Sequence, residues 1–354
     1  MVKVASLFSG CGGLDLGFVQ AGFKVSYAND IDRDVWETFE KNSGVQIDRR
    51  SLFEIPSSGI PSADGIVGGP PCQSWSLAGA MRGIDDERGK LFYEYIRVIN
   101  DKKPKFFVAE NVPGMLSSTH ANEFKKIISK MASLGYSVTY HLYDARDYGV
   151  PQERRRIIIV GYRKDLGISF SPPQPTHSKE PTLSLGSTRL EKWVALEEAI
   201  GDLPEAVPAL ARNMHNPSEK FPNHEYMTGN FSTIYMSRNR RRKWDQQSFT
   251  IQAGGRHAPL HPASCQMEKV GEDRWVFSGD KYRRMTVREA ARIQTFPDSF
   301  TFYYSNVSKG YKMVGNAVPV KLAFAIASQI SRDLEGKKGT GEKEGSSADL
   351  PHSA

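Results

Sequence analysis

The sequence predicts an α/β fold with a mostly parallel sheet, followed by a loop-rich region and a short return to helix. Two observations carry this. Over residues 1 to about 162, short apolar runs alternate with segments whose apolar residues recur at helical spacing, the pattern of βαβ units. From Ser171 to about Asp280 that periodicity stops and Pro, Asn, Ser and Gly are frequent, as in a loop-rich second unit. A chain of 354 residues can bury a core without disulfide or metal staples.

The elements follow in order. Val2 to Phe8 is an apolar run that stops at Gly10-Cys11-Gly12-Gly13, and Leu14 to Ala21 reads as a helix. Phe23 to Ala28 is the second strand, ending in Asn29-Asp30-Ile31-Asp32, and Asp34 to Lys41 the second helix. Gly65-Ile66-Val67 reads as a short buried strand, Leu91 to Ile99 as a helix, and Lys105 to Ala109 as a strand that ends in Glu110-Asn111. Phe124 to Leu134 is helical, and Ser137 to Tyr143 and Arg156 to Gly161 are strands. Helical spacing returns at Thr286 to Ile293 and Val320 to Ile330. Glu335 to Ala354 is rich in Gly, Lys, Glu and Ser and reads as a disordered tail.

Composition narrows the class. Hydrophobic residues at 39% and charged residues at 25% exclude a wholly disordered chain. Lys+Arg 47 against Asp+Glu 40 gives +7, which suggests a polyanionic partner. Cys11, Cys72 and Cys265 are odd in number and form no Cys-x-x-Cys pair, against a disulfide framework or a zinc ribbon. A reducing cytoplasm and no metal are expected. No signal-peptide pattern follows Met1, and apolar runs such as Ile157 to Val160 are far below the roughly 20 residues of a membrane helix.

Three strand ends carry candidate chemistry. Phe8-Ser9-Gly10-Cys11-Gly12-Gly13 allows a tight turn and close approach of a ligand to the backbone, and Asp30 ends the next strand about 20 residues on, where a carboxylate can accept ribose hydroxyls. The competing explanation is a structural turn plus a surface acid. Gly68-Gly69-Pro70-Pro71-Cys72-Gln73-Ser74-Trp75-Ser76 sets a lone thiol behind two φ-locked prolines, which suits a nucleophile more than a core cysteine. Glu110 ends a buried strand at the same sheet edge; a partly buried carboxyl can hold a proton near neutrality, whereas a solvated acid would not.

Together these motifs resemble the DNA (cytosine-5) methyltransferases over about residues 1–163 and 281–333. The match adds Ala109-Glu110-Asn111-Val112, Gln152-Glu153-Arg154-Arg155-Arg156, Arg284 to Arg292 and Gly315-Asn316-Ala317-Val318-Pro319, in family order. The resemblance implies a Rossmann-like S-adenosylmethionine-dependent methyltransferase fold with a smaller, loop-rich inserted target-recognition domain at 164–280, residues 1–163 and 281–333 forming the catalytic domain and 335–354 the tail. It implies S-adenosylmethionine as cofactor, with no metal. Phe8, Gly10, Cys11, Gly12 and Gly13 would wrap its amino-acid end. Asp30 would take the ribose, where the family usually has Glu, and Ile31 the adenine. Ser51, where the family has an acid, with Leu52, Pro71, Leu91, Asn316, Ala317 and Val318, would complete the site.

The resemblance also implies the chemistry. Cytosine C5 is a poor nucleophile until a thiolate, here Cys72, adds to C6. Glu110 would hold N3 and the exocyclic amine, and Arg154 and Arg156 would line the pocket. The base must leave the duplex, so double-stranded DNA flips its cytosine outward, with Gln73 and Ser76 on the lid side.

Ser237 to Trp244 carries five cations in eight residues. The alternation Arg238-x-Arg240-x-Arg242 shares one face if the segment is extended. Residues 226–262 resemble the recognition region of the restriction-modification subgroup that modifies GGCC, which points to Arg238, Arg240 and Arg256 as guanine readers; phosphate contact is the alternative. The expected partner is duplex DNA, met by a bacterial cytoplasmic monomer whose cognate endonuclease shares the site. A transfer-RNA methyltransferase of the same family, a DNA binder without catalysis and a thiol hydrolase are the rival functions; none of the eight histidines sits in a comparable strand-end motif to serve the last.

Overall fold

The computed structural model describes residues 1–71, 87–181 and 189–341. Cys72, Gln73 and Ser76 lie outside the described residues. The first half holds β1 (Lys3–Leu7), α1 (Gly13–Gln20), β2 (Lys24–Asn29), α2 (Arg33–Ser43), β3 (Ile47–Asp48), β4 (Gly65–Gly68), α3 (Glu87–Lys102), β5 (Phe106–Asn111), α4 (Ala121–Ser133), β6 (Tyr136–Asp144) and β7 (Arg155–Arg163). The strands form one seven-stranded sheet in the order β3-β2-β1-β4-β5-β7-β6.

Strands β1 to β5 pair in parallel, as the α/β pattern predicts. Strand β7 runs antiparallel to both β5 and β6, because only a short turn, not a crossover helix, joins β6 to β7. The chain moves outward from β1 to β3, then crosses back to β4. The crevice between β1 and β4 is therefore the switch point at which open α/β sheets bind ligands.

Alternate side chains feed two layers. Val4, Val67 and Val108 pack on one face with Phe18 and Ile326, and Leu7, Ile66 and Phe107 pack on the other with Ile96 and Ile127. The predicted strands and helices form within a few residues of their expected limits, except the helix from Val320, expected to end near Ile330, which runs to Gly341. The sequence reading missed β3 and a helix over residues 307–316.

Between β7 and the last helices the structure is made of short pieces. These are β8 (His177–Ser178) with β9 (Glu191–Lys192), α5 (Leu196–Ile200), β10 (Val207–Pro208) with β11 (Glu225–Tyr226), and the hairpin β12 (Met267–Gly271) with β13 (Arg274–Phe277). Phe170, Leu196, Met227 and Ile251 join the same apolar cluster as α1, while Tyr235, Leu260 and Met267 form a small cluster of their own.

Helices α6 (Val287–Ile293), α7 (Val307–Asn316) and α8 (Val320–Gly341) complete the chain. Helix α8 runs past Glu335, where composition predicts a disordered tail; residues 342–354 lie outside the described ones. The stretch 307–336 is apolar and long enough for a membrane span by composition, yet 67% of its apolar window is buried inside the protein. It packs as core instead: a Cβ on Gly17 of α1 would stand 2.4 Å from Ala323 Cβ of α8. The two ends of the chain thus meet beside β1.

Candidate active site

The turn after β1 is built for close approach. Phe8, Gly10 and Gly12 all have positive φ, at 55°, 56° and 95°, a region that disfavours side chains other than Gly. A Cβ on Gly13 would fall 2.5 Å from the Val318 carbonyl oxygen, so only glycine lets α1 meet the 317–319 turn. The Asp30 carboxylate accepts from the Gly10 N–H and the Asp32 N–H, each at 2.8 Å. Burial pushes the Asp30 carboxyl above its ordinary range, and those two N–H groups pull against that shift.

One cavity of about 320 Å³ collects most of the expected cofactor residues. Phe8, Gly10, Cys11 and Gly13 line it with Asp30 and Ile31; Ser51, Leu52, Pro71 and Leu91 form another part, and Asn316, Ala317 and Val318 a third. Gly12 stands apart: it caps α1 and faces the Phe39 ring, 3.2 Å from where its Cβ would be. Cys11 is buried, its Sγ donates to the Met313 carbonyl at 3.5 Å, and burial pushes the thiol up to about 12. It stays a thiol at neutral pH and is no nucleophile.

Glu110 lines the same cavity. Arg156 Nε lies 2.7 Å from Glu110 Oε1, with both side chains 12% exposed. A Cβ on Gly69 would come within 3.3 Å of Glu110 Oε2, so glycine keeps the space beside the carboxylate. Asn111 Nδ2 donates to the Pro70 carbonyl at 3.1 Å, tying the β4 loop that leads to Cys72 against the end of β5.

Arg154 does not line this cavity. It is 1% exposed and donates to the carbonyls of Ile251, Gly315 and Ala317 at 3.0, 3.0 and 2.9 Å. It lies beneath the α7–α8 turn, and a guanidinium whose N–H groups are spent on main chain has little left for a substrate.

Sequence reasoning missed Asp15, Lys312 and Met313 in the cavity. Lys312 bridges Asp32 at 2.7 Å and Asp34 at 3.2 Å; its helix α7 has two glycines, which hid the period. Asp15 follows the glycine turn directly and is 3% exposed. An acid in the first turn of a helix is ordinary dipole chemistry, so only its burial distinguishes it.

A second recess is lined by Arg238, Arg240 and His257 with Gln252 and Glu153. Arg238 is extended and exposed. Arg240 is 5% exposed, with Nε donating to the Tyr235 carbonyl at 2.8 Å and Nη2 to that of Ile234 at 2.9 Å. Arg256 is exposed and is not among the lining residues. Arg242 pairs instead with Glu153 at 2.8 Å. Burial and the neighbouring arginines lower the His257 pKa, so its ring is neutral near pH 7 and offers both a donor and an acceptor.

Comparison with known proteins adds the family. The model of the C-5 cytosine-specific DNA methylases matches residues 2–332. The chain is 55% identical over 339 residues to the Type II methyltransferase M.MthTI of Methanothermobacter thermautotrophicus, covering 95% of this chain and 98% of that one. It is 50% identical over 341 residues to M.NgoPII of Neisseria gonorrhoeae, covering 94% and 96%. Among solved structures it resembles the Entamoeba histolytica methyltransferase EhMeth, with TM-score 0.66, 18% identity and coverage of 94% and 99%. A mutant of Spodoptera frugiperda DNMT2 aligns with TM-score 0.64, 19% identity and coverage of 95% and 100%.

Proposed function

The chain belongs to the C-5 cytosine-specific DNA methylases, and from that premise we propose that it methylates C5 of a cytosine within GGCC in double-stranded DNA. Its methyl donor is S-adenosylmethionine, and its setting a Type II restriction-modification system; the relatives are named Type II methyltransferases. The observation that carries this reading is the shared cavity of Asp30, the glycine turn and Glu110, bordered by Pro71, the residue before Cys72.

The bound cofactor supplies an electrophilic methyl group on a sulfonium. Asp30 accepts the ribose hydroxyls, Ile31 and Leu52 give apolar contact to the adenine, and the main chain of residues 8–13 receives the amino-acid end. The Cys72 thiolate adds to C6 of a flipped cytosine, which makes C5 electron-rich. Glu110, oriented by Arg156, holds N3 and the exocyclic amine while charge develops there. Methyl transfer to C5 would release S-adenosylhomocysteine, and loss of the C5 proton to water would then expel the Cys72 thiolate.

Residues 164–280 act as the recognition domain, with Arg238, Arg240 and Arg256 on guanines. The GGCC assignment rests on the resemblance of residues 226–262, and the recess shared by Arg238 and Arg240 supports it. The cavity and the recess belong to one chain, so a monomer in the bacterial cytoplasm suffices, and a cognate endonuclease need only share the site.

The test is transfer of label from tritiated S-adenosylmethionine to a GGCC duplex or to total transfer RNA. Labelled duplex that resists a GGCC-cutting nuclease supports the proposal; label in RNA alone replaces it with an RNA methyltransferase. Cys72→Ser should transfer nothing, and full activity in that variant would overturn the covalent route.

A further inference from the structure

The Asp15 carboxylate is buried, and no cation pairs with it among the described residues. It sits in the first turn of α1, 3% exposed, and among the described residues neither oxygen meets a donor at full hydrogen-bond geometry. The Ser6 hydroxyl and the Asp15 backbone N–H lower its pKa against the effect of burial, but neither neutralises the charge. Both residues line the cavity that holds Asp30 and Glu110. A carboxylate out of water is costly unless a cation meets it, and the described structure sets no Lys or Arg against it.

The helix end beside it favours the opposite charge. Helix α1 begins at Gly13 behind a left-handed Gly12 that makes no side-chain cap. Its first-turn N–H groups and dipole suit an anion. Adjacent anion-favouring N–H groups and an unpaired carboxylate match a zwitterion, the α-amino-acid end of a ligand. We infer that Asp15 is a cofactor-binding residue whose carboxylate pairs with the α-ammonium group of the methyl donor, while the N-terminus of α1 takes the α-carboxylate. This rests on the proposal that the cavity holds S-adenosylmethionine.

Ammonium pairing supplies this buried acid with the cation that the described residues do not. Burial pushes the Asp15 carboxyl up to about 6, with Asp30 adding to that shift. A bound ammonium opposes it, so the amine-bearing ligand binds the ionised acid.

The test is calorimetric binding to the full chain without DNA, using S-adenosylhomocysteine and its analogue that lacks the α-amino group. Wild type should prefer the amine-bearing compound by about tenfold or more, the effect of one charge-assisted contact. Asp15→Asn should remove most of that preference and leave affinity for the deaminated compound unchanged. Equal weakening toward both compounds, or an unchanged preference, overturns the inference. A second measurement needs no variant: the wild-type preference should shrink as pH falls through about 6. Asp30 and Cys11, the other titratable groups that act on this acid, face both compounds alike, so they cancel in the ratio. A preference independent of pH overturns the inference as well. Wild type that binds neither compound rejects the methyl-donor proposal itself.

Discussion

Arg156 Nε stands 2.7 Å from Glu110 Oε1, across the antiparallel pairing of β7 and β5. The guanidinium fixes the carboxyl group at the cavity where the cytosine ring is proposed to lie. Both groups are 12% exposed, so water does little to screen the pair.

Removing this cation should leave Glu110 free to rotate without touching the residues proposed to hold the cofactor. Arg156→Ala should therefore slow methyl transfer about a hundredfold, similar to losing one preorganised polar group. Single-turnover kinetics with calorimetric S-adenosylhomocysteine binding checks both halves. A variant with wild-type turnover would remove Arg156 from the site.

The Arg240 prediction concerns specificity. Arg240 lies 4.8 Å over the Tyr235 ring and donates to two carbonyls, so its guanidinium is held before DNA arrives. Arg240→Ala should lower GGCC methylation at least about tenfold, within the 1–3 kcal/mol of a good base contact. Arg240→Lys should not restore it, since an ammonium lacks the planar fork. Unchanged rate and site preference would remove Arg240 from the readers.

The α1–α8 contact gives a stability prediction. A Cβ at Gly17 would lie 2.4 Å from Ala323 Cβ and 2.6 Å from the Phe324 nitrogen. Gly17→Ala should cost about 1–3 kcal/mol through overpacking, outweighing the helix preference for Ala. Val19→Ala on the same helix, 50% exposed, should cost far less. Urea midpoints for the two variants test the contrast.

A pH effect follows from His261. Its Nε2 lies 3.6 Å from Glu289 Oε1, yet burial lowers its pKa from 6.5 to about 4. Burial wins because Arg283 already neutralises Glu289, with contacts of 2.7 and 2.9 Å, and repels a second cation. The folded value is depressed, so the unfolded chain takes the proton first. The contribution is present above pH 6.5 and is lost as pH falls from 6.5 toward 4, by about 1.4 kcal/mol per unit at most. Denaturation midpoints should fall over that window, and His261→Asn should flatten the slope.

The sequence by itself determined the α/β class and the three strand ends, and its resemblance to the family named most of the residues expected at the cavity. The class and the strand ends depend on local matters: apolar period, glycine at tight turns and polar residues after buried strands, all readable within a few neighbours. The tertiary structure decided what each polar group meets. Arg154 and Arg156 are two positions apart in one basic run, yet one is spent on three carbonyls beneath α7 and the other faces Glu110. Asp15 and Lys312 are almost 300 residues apart, and both reach the cavity because α1 and α7 converge beside β1. Gly12 does not line the cavity because the left-handed turn sets it against Phe39. Burial and pairing belong to the elements that converge on a side chain, and no local pattern encodes which elements those are.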